Sequence, residues 1–307
     1  MSSCCRFDEQ RCLALRTARR TAGAPFHVKQ ARLRQRPATR APVSRPMPWL
    51  GLRRVPAPPV AAGRQPVTRV PMTAENTAEP PQRGVPLPPR VAATVFRERL
   101  PLAERYAAWL AGPAIERGLM GPRERTRLWE RHVLNCAVVH PVLPDGAAVA
   151  DVGSGAGLPG VVLAIVRPDL HVTLIEPLLR RSNFLVEVIA DLGLQNVVVV
   201  RAKAEELAGR LAVDVVTARA VASLETLARW TLPLLSTGGR LLALKGESVV
   251  EEVANASGAL MRMGAVSCTI RDFGHGIVDP PTRVAVVEVG PRVGEAVPRR
   301  RRKRGRR

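Results

Sequence analysis

Between residues 147 and 263, short apolar, β-branched runs alternate with stretches of helical periodicity, and this rhythm limits the fold more than any other feature. The runs at 147–152, 171–176, 196–201, 213–218 and 239–244 are apolar at consecutive positions, as strands covered on both faces must be. Helical patterns fill 158–167, 178–193, 203–210, 223–235 and 247–263. Strands joined through helices pair in parallel, so the sequence predicts an α/β sheet with helices on both faces. After 263 the rhythm breaks. "AVSCTIRDF" (265–273) and "TRVAVVEVG" (282–290) have no helix between them, which predicts an antiparallel pair closing a seven-stranded sheet.

Two helical segments precede the sheet. The first, 89–112, is predicted as one helix ended by Gly112-Pro113. The second, 121–139, begins at Pro122, which suits a first helical turn. Leu128, His132 and Cys136 form its apolar stripe, and Arg127, Arg131 and Asn135 a polar line beside it. On that stripe His132 reads as a satisfied core histidine rather than a base. Arg123, Arg125, Arg127 and Arg131 alternate with Glu124 and Glu130, the pattern of a solvated face.

The net charge of +21 suggests a nucleic-acid binder until it is divided along the chain. Residues 1–71 carry 15 Lys and Arg against 2 acids, and 299–307 carry 8 against none, leaving 24 of each sign between them. The basicity belongs to the ends. Residues 1–88 mix Arg, Pro and Ala without periodicity and are expected to be a disordered or dispensable extension, with Met72 a second plausible start. The tail 291–307 is expected to be disordered too, and "RRRRKRGRR" should attract phosphate without choosing a site. The folded unit is therefore placed at 89–290, with helices over 89–140 and the sheet over 147–290.

Cys136 and Cys268 lie in apolar contexts, and no C-x-x-C or matching His spacing suggests a zinc site; no metal is expected. There is neither a secretory signal nor an apolar run long enough to span a bilayer, so a cytoplasmic protein is expected.

"DVGSGAGLPG" (151–160) follows the first strand and opens the first helix of the sheet. Gly155, Gly157 and Gly160 fit G-x-G-x-x-G, with Glu176 at the distance expected of a ribose-binding acid in a dinucleotide site. Gly153, Gly155 and Gly157 equally fit D-x-G-x-G-x-G led by Asp151, a spacing that suits S-adenosylmethionine. Three observations favour the methyl donor, one being that the sequence has no second glycine loop and no hydride-handling His beside an Arg–Asp pair. Acidic residues close two successive strands, Glu176 after "HVTLI" and Glu205 within "AEE", offering partners to a ribose and an adenine. The terminal hairpin is the third, because a dehydrogenase half has no need of it. Arg219 and Lys245 follow the fourth and fifth strands at the edge where open α/β sheets bind ligands. Both are read as catalytic candidates that fix the substrate nucleotide.

"DVGSGAGLPGVVLAIVRPDLHVTLIEP", "KAEEL", "TARAVASL" and "ALKG", with "LWERHVLNCAVV" upstream, resemble the ribosomal small-subunit methyltransferase G family, also called glucose-inhibited division protein B. The likeness spans roughly 89–290. It implies a Rossmann-like class I fold and methylation of one guanine of 16S rRNA at ring nitrogen 7, within the small ribosomal subunit or its precursor. S-adenosyl-L-methionine would be the cofactor, S-adenosyl-L-homocysteine the product, and the enzyme a monomer. Carried over by position, cofactor contacts fall on Gly153, Leu158, Ala204, Glu205 and Arg219, joining Asp151, Gly155, Gly157 and Glu176 from the loop and strand ends. Arg123, Arg127 and Lys245 become candidate RNA contacts. Where many members read Ser-Arg-Ala this chain has Ala218-Arg219-Ala220, and "GPRERTRL" stands where many carry Asn-Leu-Thr. The alternatives from other classes are an RNA-binding assembly factor with a residual pocket and an NAD-dependent oxidoreductase.

Overall fold

The computed structural model describes residues 84–290, so the expectations for 1–83 and 291–307 lie outside the described residues, while Pro86, assigned to the extension, accepts a hydrogen bond from Trp129 Nε1 at 2.9 Å. The strands β1 (Ala148–Val152), β2 (His171–Ile175), β3 (Val197–Val200), β4 (Val213–Arg219) and β5 (Leu235–Lys245) fall on the five predicted runs. They pair in parallel; β6 (Ala265–Phe273) and β7 (Thr282–Val289) add the antiparallel end. The seven-stranded order is β3-β2-β1-β4-β5-β7-β6, so β7 lies inside β6.

The twofold alternation along each strand splits the core in two. Val149, Val215 and Leu242 face one side, where α1 (Arg90–Phe96), α2 (Leu100–Ala111), α3 (Pro113–Glu116), α4 (Asn135–Ala137), α5 (Gly160–Val166) and α6 (Leu179–Leu192) pack. Ala150, Val216 and Leu241 face the other, covered by α7 (Leu224–Thr231) and α8 (Val249–Arg262). Because the first four helices share a core with α5 and α6, they are part of the same folded unit.

Three helical expectations need correction. The segment 89–112 is broken by a 3₁₀ turn at Arg97–Arg99, with Arg97 at φ 51°. Pro101 explains the break, since its ring would collide with the carbonyl four residues back and it has no N–H to donate. The segment 121–139 winds as 3₁₀ over Pro122–Arg127, π over Leu128–Leu134 and α only at α4. Its apolar stripe is nonetheless buried as predicted. The stretch 203–210 is a single 3₁₀ turn, Ala204–Leu207, cut short before Gly209 at φ 73°.

Candidate active site

The order of strands reverses beside β1, whose neighbours are β2 and β4. Chains leaving the carboxyl ends of β1 and β4 diverge there to opposite faces, which opens a crevice where open α/β sheets bind ligands. A cavity of about 620 Å³ occupies this place. Gly153, Ser154, Gly155, Ala156 and Leu158 line it from the glycine loop, Glu176 and Leu178 from the end of β2, and Ala204 and Glu205 from the turn after β3. Leu119 and Met120 border it from the helical region, and Arg219 from β4.

The loop is held from several sides. Gly153 and Ser154 donate their N–H groups to the Ile175 carbonyl, at 2.9 and 3.3 Å. Glu176 is buried and accepts from Gly155 N through Oε2 and from Leu178 N through Oε1, both at 3.0 Å. It therefore braces the loop and caps the start of α6 together. A carboxylate has about four acceptor positions, so two remain for a ligand in the cavity.

Two of the expected cofactor contacts lie beneath the loop instead of in the cavity. Asp151 is fully buried; its Oδ1 accepts from Thr217 Oγ1 at 3.0 Å and its Oδ2 from Gly160 N at 3.1 Å. Strand alternation turns this side chain under the first turn of α5, where a carboxylate complements the helix N-terminus. Burial raises its pKa to about 6, against the lowering effect of its hydrogen bonds. Gly160 must be glycine here, because a Cβ would lie 2.3 Å from Leu174 Cδ2 and 2.8 Å from Asp151. Gly157 (φ 102°) also faces away from the cavity: a Cβ there would meet the Tyr106 hydroxyl at 2.8 Å. That hydroxyl donates to the Ala156 carbonyl at 2.8 Å, tying α2 to the loop. Burial pushes the Tyr106 pKa well up, so it remains a donor, and burial likewise raises the Cys136 thiol to about 11.

A second cavity, of about 730 Å³, adjoins the first and shares Arg219 and Ala220 with it. The polar line Arg127, Arg131 and Asn135 forms one wall, with Lys245, Asp272 and Arg283 on strand ends opposite. Arg123 is exposed and borders neither cavity. Lys245 sits at the expected edge but is committed elsewhere: Nζ donates to the Ala222 carbonyl and pairs with Glu252 Oε2 at 2.8 Å. It joins the loop after β4 to α8 and keeps the third of its three ammonium donors for another partner at the second cavity.

Arg219 stands between the cavities on defined supports. Nη2 donates to His132 Nδ1 at 2.8 Å and Nη1 to the Arg131 carbonyl at 3.2 Å. His132 Nε2 in turn lies 2.7 Å from Glu124 Oε2. Burial and the Arg219 charge lower the His132 pKa to about 4, so the ring is neutral near pH 7. Sequence reading did not find Tyr106, Thr217 or Glu124. Glu124 was assigned to a solvated face, and Tyr106 is marked only as the single tyrosine of the chain.

A mostly parallel sheet closed by an antiparallel pair, with a nucleoside-sized cavity at its switch point, defines the class I methyltransferases. A profile of the family described as rRNA small subunit methyltransferase G matches residues 99–277, and the chain belongs to that family. Proteins named ribosomal RNA small subunit methyltransferase G from Streptomyces avermitilis and Mycolicibacterium gilvum are 55% and 53% identical to it. These alignments cover 67% and 66% of this chain and 87% and 90% of the relatives. Among solved structures, an Aquifex aeolicus SAM dependent methyltransferase aligns with TM-score 0.42 at 18% identity, over 58% of this chain and 97% of that one. Among the described residues no helix is long and apolar enough to cross a membrane.

Proposed function

We propose that this chain methylates ring nitrogen 7 of one guanine of 16S rRNA, in the small ribosomal subunit or its precursor, using S-adenosylmethionine. The observation that carries the reading is the pair of adjoining cavities that meet at Arg219, one sized for the donor and the other for a nucleotide. The first suits the donor's chemistry: acceptor positions on Glu176 match ribose hydroxyls, apolar Leu158, Ile175 and Ala204 suit an adenine, and Glu205 stands beside them. Gly153 and Gly155 present backbone to the methionine portion, while Asp151 and Gly157 support the loop from below. When bound, the cofactor supplies an electrophilic methyl group.

Ring nitrogen 7 of guanine carries an in-plane lone pair and no proton, so the residues need only position it. Holding nucleophile and methyl in a near-attack arrangement removes several kcal/mol of barrier. Arg219 can donate to the guanine oxygen or its phosphate, and Arg127 and Arg131 supply charge for the backbone around it. Lys245 acts indirectly, by fixing the loop that carries Ala220. Arg123 remains a candidate for RNA lying outside the cavity.

Purified enzyme, labelled S-adenosylmethionine and undermethylated small subunits should yield 16S rRNA that borohydride and aniline cleave at one guanine. Label on an adenine, a pyrimidine, a ribose or a protein would refute the assignment.

A further inference from the structure

We propose that His132 is a positioning residue for Arg219, accepting a hydrogen bond through Nδ1 so that the guanidinium stays at the wall shared by the two cavities. This rests on the functional reading above.

The bonding chemistry leaves one arrangement. Arg219 has only donors, so the 2.8 Å contact from Nη2 requires a lone pair on His132 Nδ1. The Glu124 carboxylate at 2.7 Å requires the hydrogen on Nε2. Arg219 and Glu124 thus select the same tautomer from opposite sides, and a doubly protonated ring would set two donors against each other at Nδ1. The Arg131 carbonyl accepts from Nη1, so two successive residues of one π-helical segment grip the guanidinium. π-helical turns are frequent at functional sites. This one brings residues 87 and 88 positions away in the chain against the end of β4. Without such acceptors a long Arg side chain at a cavity edge samples many rotamers; with them its planar fork has one orientation. The same geometry argues against a general base, because the Nδ1 lone pair is already engaged.

The test uses the full chain, with His132→Asn and His132→Gln each made alone and with Arg219→Ala. The Asn side-chain oxygen falls near the position of Nδ1 and keeps an acceptor for Arg219, whereas the Gln amide extends toward Nε2. We expect His132→Asn to retain kcat to within about threefold and His132→Gln to lose roughly tenfold or more, with KM for S-adenosylmethionine little changed. In the Arg219→Ala background, His132→Gln should add no further loss, as for residues that act as a unit. Nitrogen-15 NMR of the substrate-free protein should show an unprotonated, hydrogen-bonded Nδ1 that loses its bond in Arg219→Ala. A protonated Nδ1, a Gln penalty undiminished in the Arg219→Ala background, or an Asn variant no better than Gln would each overturn the proposal. If the wild type methylates no rRNA, the functional reading fails, while the NMR measurement still decides the tether.

Discussion

Glu176 braces the glycine loop and also faces the cavity, so its two roles need separate substitutions. Glu176→Ala leaves two backbone N–H groups without their acceptor, at about 1–3 kcal/mol each, and should lower stability as well as affinity. Glu176→Gln keeps the volume and one accepting oxygen, so it removes the charge and one of the two backbone bonds but not both. By calorimetry it should bind S-adenosylmethionine roughly tenfold more weakly while remaining folded, since hydrogen bonds to charged groups contribute about 1.5–3 kcal/mol. Unchanged affinity would confine the carboxylate to holding the loop. His132 makes a pH prediction at the same scale. Its pKa is lowered from 6.5 to about 4 by burial and by Arg219, so between those values the unfolded chain binds a proton that the folded chain does not. Stability from this group is therefore present above pH 6.5 and declines as pH falls toward 4, by about 2 kcal/mol between pH 7 and 5. Asp151, raised to about 6, acts in the opposite direction, because the folded chain takes up its proton first. Urea unfolding at pH 7 and 5 should show the gap between wild type and His132→Asn narrowing at the lower pH; a constant gap would contradict the shift.

The elements of the sheet were legible because a strand buried on both faces has to be apolar throughout, as "LLAL" (241–244) of β5 is, and even the partly exposed edge strand β3 is a run of valines. The helical stretches were less so. Periodicity reports which side of a segment is apolar, not how tightly it winds, and so 121–139 kept its predicted stripe while winding as 3₁₀ and π helix. Spacing placed Asp151, Glu176, Arg219 and Lys245 at the carboxyl edge, but it carries no information on side-chain partners. Only the fold shows that Asp151 turns under α5 and that Lys245 reaches Glu252. The link between α2 and the loop was equally hidden, because Tyr106 and Ala156 lie 50 positions apart. Tyr106→Phe should leave the buried Ala156 carbonyl without its donor, costing about 1–3 kcal/mol. Thermal melts should show a drop of several degrees, with a few-fold loss of S-adenosylmethionine affinity by calorimetry. An unaltered melting temperature and affinity would mean that the loop holds its shape without α2.

At the scale of the whole chain, charge is segregated. The stretch 72–298 is balanced, whereas "RRRRKRGRR" adds eight positive charges at the end. Deleting these nine residues should weaken binding to small subunits and flatten its dependence on salt, because fewer counterions are released on contact. Sequencing should find the methylated position unchanged. If methylation moved to another nucleotide, the tail would help select the site. Arg219, meanwhile, lines both cavities, so under the proposed function the donor and the rRNA would share one side chain. Whatever factor rRNA imposes on the affinity for S-adenosylmethionine, the cofactor must impose on the affinity for rRNA. If Arg219 contacts both ligands as proposed, its single support should make that factor differ from one. Measuring cofactor affinity with and without small subunits gives it directly, and Arg219→Ala should bring it back toward one. A factor of one in the wild type would mean that the shared guanidinium transmits nothing between the two sites.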